Sequence, residues 1–162
     1  MNEIGIDVFV NVSMNFPEIN VVKYEYNKGM LIMEFVLTRE IATEEEEEFI
    51  SKASQCIKLL HKLDNIPPHE FKIKFKRLAG LTFMRYYYDT KFLSEKEINI
   101  IISLVKEEFP DCLVNEGKNL SGQDMFRKQI KRDLLEKLSG NDGGTHYLFA
   151  YRDHGRLCMY NK

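Results

Sequence analysis

The sequence lacks tryptophan altogether and has few residues that break or cross-link a chain. Its 162 residues include only 4 prolines and 3 cysteines. No apolar run approaches the roughly 18 residues that a membrane-spanning helix requires. The N-terminal stretch MNEIGIDVFVN also lacks the basic start and apolar block of a signal peptide. We therefore expect no membrane span and no membrane partner.

The cysteines exclude two kinds of small cross-linked fold. Cys56, Cys112 and Cys158 are odd in number, widely spaced and without a C-x-x-C pair. This pattern argues against a disulfide framework and against a zinc knuckle. It favours a reduced protein, so we expect a cytoplasmic location. Cys56 falls on the apolar stripe of a predicted helix, where a small core residue is the simplest interpretation.

Aromatic and flexible apolar side chains are abundant, with 11 Phe, 8 Tyr and 7 Met. Charge is unevenly distributed around a net charge of −2. The first 50 residues hold three basic and eleven acidic residues, whereas the rest hold twenty basic and fourteen acidic ones. Such an asymmetry can mark a surface for nucleic acid or another acidic partner. A fold that mixes the two parts would cancel much of this field.

The N-terminal segment is predicted to be a strand. Residues 4–14 place an apolar side chain at every second position, from Ile4 to Met14. This alternation is typical of a strand with one buried face. Phe9 falls on the other side, and Pro17 ends the segment.

Two hairpin–helix units follow the first strand. The first has a hairpin over residues 19–38 that turns at residues 27–29, where Gly29 supplies the left-handed backbone. Its helix begins with the T-x-x-E capping box of Thr43 and Glu46.

The second unit repeats this order. Its strands cover residues 70–77 and 81–88, with a turn at Ala79-Gly80, and Ser94 and Glu97 form a second capping box. A further helix over 121–138 and a final hairpin over 145–160 complete the chain. We therefore predict one α+β domain, residues 1–162. Its mainly antiparallel sheet would be built from an N-terminal strand and three β-hairpins with three helices.

The two units also resemble each other in sequence. A shift of 51 residues aligns them without a gap, which predicts a tandem ββα duplication over about residues 17–63 and 68–109, with a C-terminal helix plus hairpin at 121–161. Glu34 and Arg85 hold equivalent positions, where they could pair. Two independent units that share generic turn and cap signals are the alternative. Seven aligned positions are identical: Pro17/Pro68, Lys23/Lys74, Gly29/Gly80, Met33/Met84, Glu44/Glu95, Glu46/Glu97 and Ile50/Ile101.

The sheet is predicted to be apolar on both faces. If each turn is a type I turn with a glycine bulge, one face packs under the helices. That face carries Val22, Tyr24, Met30, Ile32, Val36, Phe71, Ile73, Phe75, Leu81, Phe83 and Tyr87.

The other face forms an aromatic–methionine surface. So much apolar area predicts a partner or dimer face, although the third helix could cover it or a ligand could bind there. Its members are Met33, Phe35, Met84, Tyr86, Tyr88, Tyr147, Phe149, Tyr151 and Met159.

A nucleic-acid interface is the sharpest alternative. Lysines beside tyrosines on neighbouring strands resemble a stacking platform with a phosphate-neutralising rim. Against this, the sequence has no ribonucleoprotein motif and no G-x-x-G clamp, and its pI is near 6.1. The candidate contacts are Lys72, Lys74, Lys76, Tyr86, Tyr88, Arg127, Lys128, Lys131 and Arg132.

No catalytic or metal-binding motif is present. The histidines His61, His69, His146 and His154 are dispersed, without H-x-x-x-H or H-E-x-x-H spacing. A catalytic carboxylate pair leaves no spacing signal, so an enzyme of unrecognised type remains an alternative. We predict a small non-catalytic, cofactor-free binding or oligomerisation protein, most simply a homodimer.

Overall fold

The computed structural model describes residues 3–25, 27–67, 71–114, 147–153 and 156–161. In this part the chain forms three helices and a six-stranded antiparallel sheet, so the α+β prediction is confirmed. In chain order the elements are helix α1 (Glu3–Asn15), strands β1 (Val21–Glu25) and β2 (Met30–Leu37), helix α2 (Thr43–Leu63), strands β3 (Lys72–Leu78) and β4 (Leu81–Asp89), helix α3 (Glu95–Glu108), and strands β5 (Tyr147–Asp153) and β6 (Arg156–Asn161).

The strands follow the order β3-β4-β2-β1-β5-β6, so β3 and β6 are the two edges. The two strands of each hairpin pair with each other, β1 with β2, β3 with β4 and β5 with β6. Between the hairpins, β2 pairs with β4 at the centre and β1 pairs with β5. There Glu34 lies directly opposite Arg85. These are the two residues that the 51-residue shift makes equivalent.

The predicted N-terminal strand is wrong, because this segment is helix α1. Its buried residues Gly5, Phe9 and Val12 recur at helical spacing, with Phe9 only 1% exposed. Val10 and Met14, which the alternating pattern assigned to the buried face, are exposed. Apolar residues are so dense here that both periodicities fit the sequence, and packing of α1 against β1 and β5 selects the helix.

The predicted assignment of sheet faces is wrong for β2 and β4. The first hairpin closes with Glu25 opposite Met30, and the second with Leu78 opposite Leu81. Both loops therefore contain an even number of residues, not the three of a type I turn with a bulge. A change of one residue in the loop moves every side chain of the second strand to the opposite face.

We call the face under α1, α2 and α3 the inner face and the opposite one the outer face. Inner-face side chains join the helices in one core, to which α2 contributes Phe49, Ala53 and Ile57. Cys56, predicted in that helix stripe, is only half-buried, and Leu63 is exposed. The inner-face residues of the main core are Val22, Tyr24, Leu31, Met33, Phe35, Leu37, Ile73, Met84, Tyr86, Tyr88 and Ala150.

The predicted helix over 121–138 lies outside the described residues, as do its basic residues Arg127, Lys128, Lys131 and Arg132. Among the helices that are described, none is long and apolar enough to cross a membrane.

Candidate functional site

The structure divides the predicted aromatic–methionine surface between the two faces of the sheet. Its β2 and β4 members are at most 1% exposed, because α2 and α3 cover them. In this fold they form core, which corrects their assignment to a partner face. These buried members are Met33, Phe35, Met84, Tyr86 and Tyr88.

The remaining members are on β5 and β6. Tyr147, Phe149 and Tyr151 lie on the outer face and are less than a tenth exposed. Met159 lies on edge strand β6 and is 41% exposed. Of the nine predicted residues, Met159 alone presents a large accessible side chain.

An aromatic cluster closes the β5–β6 part of the outer face. The ring of Tyr160 stacks on Phe149 and Tyr151, with centroid distances of 5.2 and 5.6 Å. The Tyr151 and Tyr160 hydroxyl oxygens are 3.0 Å apart. Burial and this hydrogen bond raise the pKa of Tyr151. Tyr160 forms the rim of the cluster, since it is 48% exposed.

Strand β6 is an accessible sheet edge next to this cluster. Met159 and Tyr160 project to opposite faces of the sheet, and both are exposed. Leu157 and Cys158 are half-buried. Arg156 is the one charged residue between positions 156 and 161.

The centre of the outer face holds a partly buried ion pair. Arg85 Nε donates to Glu34 Oε1 at 2.8 Å, and Glu34 is 3% exposed. Burial disfavours the charge of the guanidinium, but the Glu34 carboxylate outweighs it, so the pKa of Arg85 is raised. The pair joins β2 to β4, and the charge of Arg85 is thereby paired within the protein.

The predicted lysine–tyrosine platform is not assembled as expected. Lys72, Lys74 and Lys76 are exposed on the outer face of edge strand β3, whereas Tyr86 and Tyr88 belong to the inner face. The second hairpin loop has two residues instead of the predicted three, and this places Tyr86 and Tyr88 on the opposite face of the sheet from the lysines.

Tyr87 takes the place of those two tyrosines. It lies directly opposite Lys72, and the ammonium of Lys74 is 5.7 Å from its ring centroid.

A buried polar cluster under α2 and α3 has no counterpart in the predicted sites. The Glu97 carboxylate, 0% exposed, accepts hydrogen bonds from Tyr88 at 2.7 Å and Tyr86 at 3.2 Å. Nε2 of His61 lies 2.7 Å from the same carboxylate and 2.8 Å from the Tyr88 hydroxyl. These four residues, the Glu97 cluster, join α2, α3 and β4.

The capping-box pattern concealed the role of Glu97. Ser94 does cap α3, since its hydroxyl accepts from the Glu97 amide at 3.3 Å. The Glu97 side chain turns inward instead of returning to the cap. At the equivalent helix start, Ala42 is the cap of α2, and Glu45, not Glu46, accepts from its amide at 3.3 Å. A polar residue three positions after the cap therefore predicts where the helix begins. It does not predict which way its own side chain points.

The Glu97 cluster is closed to substrate. Burial raises the pKa of both Tyr86 and Tyr88, and the nearby Glu97 charge adds to the effect. His61 is 5% exposed, and the ring of Phe71 packs against both tyrosines. The arrangement fixes two helices on the sheet and presents no open catalytic group.

The start of α2 carries a second polar group, around a surface depression that includes Ile41, Thr43 and Arg77. Arg77 donates to the Ile41 carbonyl at 2.6 Å, to Thr43 at 3.0 Å and to Glu46 at 2.9 Å. These contacts engage the Arg77 guanidinium within the protein, where it is paired with Glu46.

Metal binding finds no support in the described residues. They contain no group of three or more His, Cys, Asp or Glu arranged to hold a metal ion. The three cysteines are free thiols. His69, His146 and His154 lie outside the described residues.

Comparison with known proteins yields no matching family model, no similar curated protein and no similar solved structure.

Proposed function

We propose that the protein works as a non-catalytic self-associating protein, in which two copies join through edge strand β6. The observation that carries this proposal is the exposure of Met159 and Tyr160, 41% and 48%, on a sheet edge with a single charged residue. We still propose a homodimer, but we now assign its contact surface to the edge of the sheet instead of its face.

The backbone of an edge strand supplies the main attraction. Every second residue directs its N–H and C=O away from the sheet, where another strand can pair with them. Pairing of two β6 strands would join two six-stranded sheets into one. Met159 would then contact the second copy on one side of the junction and Tyr160 on the other, as cross-strand pairs do.

Charge distinguishes β6 from the other edge. An antiparallel self-pairing of β6 about Cys158 sets Arg156 opposite Tyr160 of the second copy, so no like charges meet. The same pairing of β3 about Phe75 would set Lys74 opposite Lys76 of the second copy. Like charges directly opposite are destabilising, so self-pairing is favoured at β6 and opposed at β3.

The size of this edge predicts a weak dimer. A strand of six residues buries less than the roughly 1,200 Å² of a standard stable interface. We therefore expect a dissociation constant on the order of 10–100 µM, which allows exchange between monomer and dimer.

Light scattering coupled to gel filtration tests the proposal. Over loading concentrations from about 10 µM to about 1 mM, the mass should rise from 19.1 kDa towards twice that value. Met159→Lys should hold the mass at the monomer value throughout, because it sets the lysines of the two copies diagonally across the junction on the same face.

Met14→Lys is the matched control, since Met14 is 62% exposed on α1, away from β6. It should associate as the wild type does. A wild-type chain that stays monomeric at the highest concentration, or a Met159→Lys chain that still dimerises, would contradict the proposal.

We also propose that the two ββα units arose by duplication and that the protein acts in a reducing compartment such as the cytoplasm. Support for the first comes from Glu34 and Arg85, which are equivalent in sequence and directly opposite each other at the centre of the sheet. This arrangement is the one that a two-fold axis between the units would produce. Support for the second comes from the three free thiols.

A further inference from the structure

The outer face of β3 carries a basic row that neither the fold nor self-association requires. Lys72, Lys74 and Lys76, which we call the lysine row, are all exposed. The row lies at the edge of the sheet opposite β6. A ligand bound there would not overlap the proposed dimer junction.

Packing on the inner face fixes the direction of the lysine row. Ile73 is 9% exposed in the core, and the Phe75 ring makes an edge contact with Phe49 at a centroid distance of 5.9 Å. Because side chains alternate along a strand, these two anchors hold the three lysines on the same side.

The positive charge of the lysine row is not neutralised within the described part of the chain. None of its ion pairs involves Lys72, Lys74 or Lys76. Glu34, the nearby carboxylate of the outer face, is engaged by Arg85. The row therefore forms a local cationic strip on a chain whose net charge is −2.

Spacing and the neighbouring aromatic ring indicate the class of ligand. Alternate residues of a strand are about 6.6 Å apart, which is comparable to the spacing of successive phosphates in an extended polynucleotide. Tyr87 lies directly opposite Lys72 and is partly exposed, so its side chain borders the row. An unpaired base can stack on such a ring, whereas a base within a duplex cannot.

We propose that the lysine row binds single-stranded nucleic acid, with the lysines on consecutive phosphates and a base against Tyr87. This revises the sequence-based hypothesis, because Tyr86 and Tyr88 are buried and Tyr87 replaces them. It is independent of the self-association through β6.

Fluorescence anisotropy with a labelled, mixed-sequence single-stranded oligonucleotide tests this inference. Three neutralised phosphates predict a slope of log K against log salt of about −2, since each contributes about −0.7 on a single strand. The binding constant should then fall about 20-fold between roughly 50 and 200 mM salt. Lys74→Gln should reduce the slope by about 0.7, and Tyr87→Leu should weaken binding about 5- to 100-fold.

Two matched variants control for general charge and for exposed apolar area. Lys58→Gln makes the same charge change at an exposed position of α2, on the other side of the sheet. Leu59→Ala removes an exposed apolar side chain from the same helix, where Leu59 is 58% exposed. Both should bind as the wild type does, and thermal unfolding should show that all four variants are folded.

Several results would overturn the inference. Absent or salt-insensitive binding would exclude phosphate neutralisation, and an equal loss in Lys58→Gln and Lys74→Gln would exclude the lysine row. Equal affinity for the same oligonucleotide in a duplex or for inorganic polyphosphate, or full affinity in Tyr87→Leu, would exclude base stacking. If no binding is seen, the lysines serve only to keep edge strand β3 from pairing.

Discussion

Glu97 illustrates how one buried charge can organise a fold. A carboxylate moved out of water without partners is strongly destabilising. The tyrosine donors and His61 offset this cost, and they come from β4 and α2 while Glu97 belongs to α3. The cluster thus fixes the relative positions of these elements.

Glu97→Gln should lower the free energy of unfolding by about 1–3 kcal/mol, since hydrogen bonds to a charged acceptor lose most of their advantage when the charge is removed. Urea denaturation measures this change. Glu47→Gln, at an exposed position of α2, is the control and should change stability by less than about 0.5 kcal/mol. A Glu97→Gln protein as stable as that control would show that the cluster is energetically unimportant.

The buried tyrosines should make the protein sensitive to alkali. Burial raises the pKa of Tyr86 and Tyr88 above the ordinary 10.0, so the folded state keeps their protons where the unfolded chain releases them. Stability should therefore be intact below about pH 10 and fall as pH rises beyond it.

Absorbance at about 295 nm and urea midpoints between about pH 8 and 11 give the measurement. In the folded protein fewer than the 8 tyrosines should ionise near pH 10, and Tyr86→Phe should flatten the alkaline loss of stability. Ionisation of all the tyrosines in the folded chain would contradict the burial of these phenols.

At the scale of elements, the sequence correctly predicts those features that depend only on neighbouring residues, such as helix starts and turns. Ser94 and Gly80 mark a helix start and a turn, and the predicted strand over 81–88 corresponds to β4. The sheet face on which a side chain lies depends instead on whether the preceding hairpin loop has an odd or an even number of residues. One residue more or less in the loop reverses it. Segment 4–14 has apolar residues on every side, so only its packing on β1 and β5 distinguishes a helix from a strand.

The second turn offers a direct test of its conformation. Ala79 and Gly80 both have positive φ, 54° and 78°, as in a type I′ turn, where Asn-Gly is strongly preferred. Ala79→Asn should therefore stabilise the protein by about 0.5 kcal/mol, and Gly80→Ala should destabilise it by about 1 kcal/mol. Urea denaturation measures both changes, and stabilisation by Gly80→Ala would contradict this turn.

Gly5 of helix α1 packs closely against Tyr24 of β1, which gives a testable prediction. A Cβ at this position would overlap the Tyr24 hydroxyl and ring. Gly5→Ala should lower the free energy of unfolding by about 1–3 kcal/mol because overpacking outweighs the better helix propensity of alanine. Val10→Ala, at an exposed site of the same helix, should have little effect on thermal unfolding. A more stable Gly5→Ala protein would contradict the packing of α1 on β1.

At the scale of the whole molecule, the excess of Phe, Tyr and Met has a double explanation. Part of it, including Met84 and Tyr86, forms the core beneath the helices, and part forms the closed cluster around Tyr151. The sequence alone could identify the aromatic strands but not which face was covered, because both faces are apolar. Within the part of the chain that the structure describes, the two sheet edges remain as candidate contact surfaces, β6 with a single charged residue and β3 with the lysine row.

Hydrogen–deuterium exchange at two protein concentrations tests this distinction between the edges most directly. Between about 10 µM and about 1 mM, amides of β6 should exchange at least about threefold more slowly at the higher concentration, because the second copy pairs with them. Amides of β3 should exchange at the same rate at both concentrations. Exchange in β6 that does not depend on concentration, or protection that develops at β3 instead, would contradict the account.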